Sequence, residues 1–370
     1  MIDTVVGEST QSTPSFKDVI RTFAPSWFAS VMGTGALALG LFSYGSSFHP
    51  LVTAGKILFI VNIILFVILL VPWTLRWILY PKETLADLHH PVMANFFPTV
   101  SAGLIVLALD FIVIGQNFEL GAILWAIGSV VTIFFSILTP YFMFTSTSTR
   151  LDHMNPGFFI PPVALLVIPL GGGLLLPHLS ANLVPIVVLF NFFGLGAGFF
   201  LYLALLAITL YRFILHEPLP AALAATVWIN LGPLGAAAVG LINIAKATPF
   251  ITMKEPYFVA ALLIWGFALW WLMMAVVMSL HYIGRMKFPY GLSWWGFTFP
   301  TGALVLASHS LAAALSMPLI DHIGFALLWL LVALWIMTLA KTVQRTIDGS
   351  LFRPAKQAEA PRAAEVSGEK

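Results

Sequence analysis

The feature that most constrains the fold is a series of ten apolar runs, each long enough to cross a bilayer as a helix of roughly 20 residues. Only 9% of the residues are charged and 60% are hydrophobic, so a soluble fold could not keep this much apolar surface from water. The sequence therefore predicts an all-α integral membrane protein. It excludes a soluble enzyme, a nucleic-acid-binding protein and a disordered chain. The runs cover residues 24–44, 54–79, 96–115, 120–144, 158–179, 182–213, 222–245, 256–284, 292–315 and 321–346.

The basic residues predict how the ten spans are oriented. With an even number of spans both termini lie on one side, and 14 of the 17 Lys and Arg residues share that side. Because Lys and Arg accumulate on the cytoplasmic face, we expect both termini in the cytoplasm. We also expect the membrane to be the plasma membrane. We divide the chain into a cytoplasmic segment 1–22, a transmembrane domain 23–347 and a disordered cytoplasmic tail 348–370.

Proline and glycine recur in the odd-numbered spans and indicate an internal repeat. Successive prolines are spaced by 73, 64, 71 and 67 residues. Two crossings per unit make each unit a helical hairpin, and parallel repeats are related by an axis along the membrane normal. We therefore expect five tandem helical hairpins in a quasi-five-fold arrangement, with the odd-numbered helices forming an inner pore ring. The prolines expected to kink these helices are Pro25, Pro98, Pro162, Pro233 and Pro300.

A weaker interpretation of the same residues stays open. Proline and glycine are common in all membrane helices. Pro25 and Pro98 also lie near the expected helix starts, where proline costs little, so not every proline need be a kink.

Groups that could support catalysis or metal binding are scarce. The chain has no cysteine, and His89 and His90 near Asp87 lack further ligands nearby, so we expect no metal site and no cofactor. Asp110 is the one clear acid within a span, and its place near the span's end predicts an interfacial side chain rather than a proton relay. A membrane-embedded enzyme and a multi-span receptor are alternatives to a pore. The first needs intramembrane catalytic groups and the second a receiver loop, and neither is evident.

Three segments carry a resemblance to a known family. Residues 23–35 read FAPSWFASVMGTG and resemble the first helix of the tellurite-resistance/dicarboxylate transporter family. Residues 90–97, HPVMANFF, resemble the start of its third helix, and residues 294–300, WWGFTFP, resemble its ninth. The family includes fungal malate permeases, sulfite efflux pumps and plant slow anion channels. The resemblance implies a non-enzymatic anion channel or transporter, in a lipid bilayer, with a homotrimeric assembly. Its substrates would be small anions such as malate, sulfite, chloride or nitrate.

The resemblance also implies a gate, since a phenylalanine on the ninth helix plugs the pore of the channel members. The candidates here are Phe299 and Phe297, and we favour Phe299. Proline disfavours helical backbone at the residue before it, which would aim the Phe299 side chain across the axis. Ser and Thr often bond back to their own helix instead of facing a pore. With that alternative open, the candidate pore-lining residues are Gly33, Thr34, Gly35, Thr99, Gly103, Gly171, Asn230, Gly235, Thr301, Gly302 and His309.

Overall fold

The computed structural model describes residues 15–46, 48–147, 149–285 and 288–352. Within these ranges ten helical segments are long and apolar enough to cross a membrane, which confirms the predicted number of spans. Most of segment 1–22, most of the tail 348–370 and the loop residue Lys287 lie outside the described residues.

Each odd-numbered span contains one of five α-helices that we call the inner helices. They are α2 (Ala29–Ser43), α5 (Pro98–Val113), α7 (Ile160–Leu175), α9 (Leu231–Ala247) and α11 (Thr298–Leu315). Each even-numbered span is one long α-helix, and these five are the outer helices. They are α3 (His49–Leu79), α6 (Phe118–Thr145), α8 (Val184–Leu215), α10 (Glu255–Arg285) and α12 (Pro318–Ile347). Two short helices, α1 (Phe16–Arg21) and α4 (Pro81–His89), lie outside the spans.

Every inner helix is preceded by a stretch of 3₁₀-helix, and the prolines mark this junction. The 3₁₀ stretches are Pro25–Phe28, Met93–Phe96, Pro156–Phe159, Ala221–Asn230 and Leu292–Phe297. Pro25 begins the first of them, whereas Pro98, Pro162, Pro233 and Pro300 lie in the first turn of their α-helix. The N–H groups of a first helical turn have no carbonyl partner within the helix, so a proline there breaks no hydrogen bond. These five residues therefore start helices and do not kink them. Among the described inner helices, the proline inside the helix proper is Pro169.

The inner helices form a closed ring. Each contacts the next in chain order, and α11 contacts α2. Every outer helix packs against its own inner partner and against the following inner helix, with α12 returning to α2. The share of buried residues separates the two sets, at 67–94% for the inner spans and 22–39% for the outer spans. This contact order is that of five hairpins around an axis, and exact five-fold symmetry stays a prediction.

Indole groups tie the two layers together. Trp125 on α6 donates to the Ile168 carbonyl at 2.8 Å, and Trp271 on α10 donates to the Val227 carbonyl at 2.9 Å. Trp335 on α12 donates to the Thr34 hydroxyl at 3.1 Å. In a bilayer a buried polar group without a partner is costly, so these bonds let inner helices carry polar atoms where water is absent.

Candidate functional site

Two cavities lie on the axis of the inner ring, one at each end. The N-side cavity is lined by the 3₁₀ stretches and first turns of all five inner spans and has a volume of about 40 Å³. The C-side cavity lies toward the C-terminal ends of the inner helices and has a volume of about 190 Å³. No residue lines both. The described residues therefore enclose two separate spaces on one axis.

The C-side cavity shows the register of the repeat. Every inner helix contributes two residues to it, spaced by four, so that the same face of each helix meets the axis. The pairs are Leu39 and Ser43, Leu109 and Val113, Leu170 and Leu174, Val239 and Asn243, and Leu306 and Ser310. The residue ten positions before the first member of each pair lines the N-side cavity. These positions are Ala29, Thr99, Ile160, Ile229 and Gly296.

This register corrects the alignment of the repeat by prolines. The first members of the pairs are 70, 61, 69 and 67 residues apart. Relative to them the five prolines stand 14, 11, 8, 6 and 6 residues earlier, so only Pro233 and Pro300 occupy equivalent places. Proline fits anywhere within a first turn, and its position therefore does not specify the rotation of the helix that follows.

The two candidate gate residues occupy different environments. Phe299 lines the N-side cavity together with Met32, Val163 and Gly232, and its side chain is 6% exposed. Phe297 is absent from the cavity wall and packs edge-on against Trp228 with ring centroids 5.3 Å apart. The structure thus brings only Phe299 to the axis.

The backbone reason given for Phe299 is wrong. Phe299 is the second residue of α11 and helical, although Pro300 follows it. The direction of the Phe299 side chain follows from the rotation of α11 about its own axis. Leu306, seven residues later, lies on the same face of α11 and lines the C-side cavity.

Six of the predicted pore-lining residues are glycines at helix contacts. At each of them an added Cβ would meet a neighbouring helix at or inside contact distance, so their small size serves packing. The neighbours are Thr298 for Gly33, Val106 for Gly35, Val31 for Gly103, Trp125 for Gly171, Ala303 for Gly235 and Ala36 for Gly302. Two other glycines, Gly232 and Gly296, line the N-side cavity.

Most predicted polar residues also turn away from the axis. Thr34 accepts from Trp335, and Thr301 donates to the Phe297 carbonyl at 2.7 Å. Asn230 is fully buried near Tyr202 of α8. Thr99 is the exception, because it lines the N-side cavity while donating to the Pro25 carbonyl at 2.7 Å.

His309 points toward the start of α12. Its Nδ1 lies 3.0 Å from Oδ1 of Asp321, and its ring centroid lies 4.8 Å from that of Tyr44. The Tyr44 hydroxyl donates to the Asp321 backbone carbonyl at 3.2 Å. His309 thus belongs to a cluster beside the C-side cavity, whose wall is formed by its neighbour Ser310.

The polar residues of the C-side wall are Ser43, Asn243 and Ser310, and none of them is among the candidate pore-lining residues predicted from the sequence. The signal that finds them is their four-residue spacing from an aliphatic residue on the same face. This signal emerges only when the inner helices are aligned by that face, because Ser at a helix end is otherwise unremarkable.

The charged residues stand apart from both cavities. No Lys, Arg, Asp or Glu among the described residues lines either of them. Asp110 is completely buried, and its Oδ2 accepts from Asn62 on α3 at 2.8 Å. The interfacial side chain expected for Asp110 is therefore incorrect, since the carboxyl points inward between α5 and α3. Arg76 is likewise buried near the end of α3, where it donates to the Phe23 carbonyl at 2.9 Å.

His90 accepts hydrogen bonds from the backbone at the entry to span 3. Its Nδ1 accepts from the backbone N–H groups of Val92 and Met93, both at 3.2 Å, just before the 3₁₀ stretch of span 3.

Comparison with known proteins agrees with this architecture. The voltage-dependent anion channel family matches residues 22–343. The chain is 50% identical to an uncharacterized transporter of Methanocaldococcus jannaschii, over 91% of this chain and 97% of that protein. It is 27% identical to a sulfite efflux pump of Trichophyton rubrum, over 90% and 93% of the two chains. It is 24% identical to a malic acid transport protein of Schizosaccharomyces pombe, over 92% and 82%. The resemblance predicted from residues 23–35, 90–97 and 294–300 is thereby confirmed.

Proposed function

Because the chain belongs to the voltage-dependent anion channel family, we propose that it conducts small anions along the axis of the inner ring and that Phe299 closes this path. The observation that carries the proposal is the place of Phe299 on the N-side cavity, beside residues of the other inner spans. The phenyl ring offers an anion no hydrogen-bond donor, and about 40 Å³ of free space beside it holds no more than a few water molecules.

The attraction for anions comes from backbone and neutral side chains. All five inner helices begin at the N-side, and helix N-termini carry partial positive charge that decays within about one turn. Ser26 adds a hydroxyl to the cavity wall, whereas the hydroxyl hydrogen of Thr99 is already donated to the Pro25 carbonyl. Such groups replace part of an anion's hydration without holding it tightly, as conduction requires. We therefore expect weak binding and modest discrimination among anions of similar size.

The names of the relatives suggest the cargo. A sulfite efflux pump and a malic acid transport protein both align over at least 90% of this chain. Sulfite and malate, a C4-dicarboxylate, are therefore the first substrates to test, with chloride and nitrate beside them. The family and these names indicate transport and not catalysis, so no enzymatic activity is proposed.

The remaining parts of the proposal concern placement. The segregation of basic residues supports a cytoplasmic location for both termini, so that the N-side cavity opens toward the cytoplasm. The family supports placement in the plasma membrane. Residues 23–347 would form the transport domain between the cytoplasmic segments 1–22 and 348–370. The family resemblance supports a homotrimer with one path in each subunit.

Flux and reversal potential in liposomes test the proposal. Purified protein is reconstituted, a gradient of one salt is imposed, and chloride, nitrate, sulfite and malate are compared. We expect the anion to set the reversal potential. A potential set by the cation, or no flux with any of the four anions in either the wild type or Phe299→Ala, contradicts the proposal.

A further inference from the structure

A ring of aliphatic side chains surrounds the axis at the deeper layer of the C-side cavity. We call it the aliphatic girdle, and it consists of Leu39, Leu109, Leu170, Val239 and Leu306, one residue from each inner helix. Each member is followed four residues later by the outer layer of the same cavity. Four residues advance a helix by about 6 Å, so the girdle lies one turn closer to the centre of the protein.

The two layers of the C-side cavity differ in chemistry. The outer layer includes Ser43, Asn243 and Ser310, which offer hydroxyl and amide groups to water. The girdle contains only branched aliphatic side chains, and none of them can donate to an anion or hold a water molecule. An anion entering from the C-side therefore meets a wettable rim first and an apolar ring second.

The girdle is separate from Phe299. Leu306 follows Phe299 by seven residues on α11, which places it about 10 Å farther along the helix. Phe299 lines only the N-side cavity and Leu306 only the C-side cavity. Three of the inner helices, α2, α5 and α7, also end within five residues of their girdle residue. Helix C-termini carry partial negative charge, which opposes an anion there.

We propose that the aliphatic girdle is a second barrier on the axis, in series with Phe299, and that it slows anions by excluding water. This inference rests on the proposed function in that it takes the ring axis as the conduction path. Removal of the phenyl ring then opens one of two barriers. The flux released by Phe299→Ala is consequently limited by the girdle.

Cysteine accessibility tests the girdle directly, because the chain has no native cysteine. Ser310→Cys lies outside the girdle and Val163→Cys lies in the N-side cavity. Both are made in the Phe299→Ala background and treated with a membrane-impermeant thiol reagent from either side. The side that labels Ser310→Cys identifies the C-side. We expect Val163→Cys to be labelled from the N-side and protected from the C-side.

The girdle is then made polar without changing the number of side-chain heavy atoms. Leu109→Asn with Leu306→Asn should let the reagent reach Val163→Cys from the C-side and should raise anion flux above that of Phe299→Ala alone. The matched control is Leu109→Ile with Leu306→Ile, which keeps the ring apolar and should leave Val163→Cys protected. Retained labelling of Ser310→Cys and an unchanged gel-filtration profile show that each variant is folded. If the Asn pair does not fold, the single change Leu306→Ser is used in its place.

Two results overturn the inference. One is labelling of Val163→Cys from the C-side in Phe299→Ala with an intact girdle, since no second barrier would then exist. The other is protection that persists in the folded polar variant, since the barrier would then lie elsewhere. If labelling follows the expected pattern but no variant passes anions, the girdle stands as a barrier to solutes and the proposed anion conduction fails.

Discussion

Gly232 faces Phe299 on the wall of the N-side cavity, and a Cβ placed on Gly232 would lie 3.6 Å from Cε1 of the phenyl ring. This is an ordinary van der Waals separation, so the absence of a side chain on α9 leaves the space beside the ring open. The phenyl ring of Phe299 thus has the axis on one side and Gly232 of α9 on another. Removing the ring should widen the cavity more than it disturbs packing.

Phe299→Ala is predicted to raise anion flux severalfold or more while leaving the protein folded. The physical reason is that the ring borders a cavity already present on the axis. The measurement is anion flux in liposomes together with thermal stability on the same preparation. Phe297→Ala is the control, because it removes a ring packed against Trp228 and Trp294 and should cost about 3–5 kcal/mol of stability without a gain in flux. The opposite pattern would move the gate to Phe297.

Gly235→Ala is predicted to destabilise the protein by about 1–3 kcal/mol. A Cβ on Gly235 would lie 2.5 Å from the backbone carbon of Ala303, and backbone cannot move aside as a flexible side chain can. The measurement is the thermal unfolding midpoint in detergent. Gly266→Ala serves as the control, since nothing lies within 4 Å of a Cβ at that position and Ala favours a helix over Gly. Equal midpoints for the two variants would contradict the close approach of α9 and α11.

Asp110→Asn is predicted to be tolerated, whereas Asp110→Leu is predicted to cost about 1–3 kcal/mol. The amide can still accept from Asn62, but a leucine leaves the buried Asn62 amide without its 2.8 Å acceptor. No cationic partner of Asp110 occurs in the part of the chain that the structure describes, so a neutral replacement removes no ion pair. Thermal unfolding of both variants checks this, and a larger loss for Asn than for Leu would contradict it.

Arg150→Cys is predicted to be labelled by an impermeant thiol reagent only from the cytoplasm. The residue is exposed in the loop between α6 and α7, on the same side as the N-termini of the inner helices. Position 310, near the opposite ends of those helices, should be labelled only from outside. Labelling of both cysteines from one side of intact cells would contradict the ten-span orientation.

The sequence by itself determined the number of spans and the family. A helix needs about 20 apolar residues to cross the bilayer, and this requirement acts on each run separately, without reference to its neighbours. The alternation of inner and outer spans was also visible, because an inner helix surrounded by protein tolerates proline and glycine that a lipid-facing helix rarely uses. The segments 23–35 and 294–300 carried the family resemblance without any knowledge of the fold.

Only the tertiary structure decided which face of each inner helix meets the axis. These helices are buried on all sides, so their sequences lack the polar and apolar contrast that reveals the rotation of a surface helix. For this reason Gly33 and Gly235 looked like pore residues although they pack against neighbouring helices, and the aliphatic girdle could not be distinguished from ordinary core. Phe297 ends the 3₁₀ stretch and Phe299 is the second residue of α11, and only the packing of the inner helices decides which of them lines the cavity.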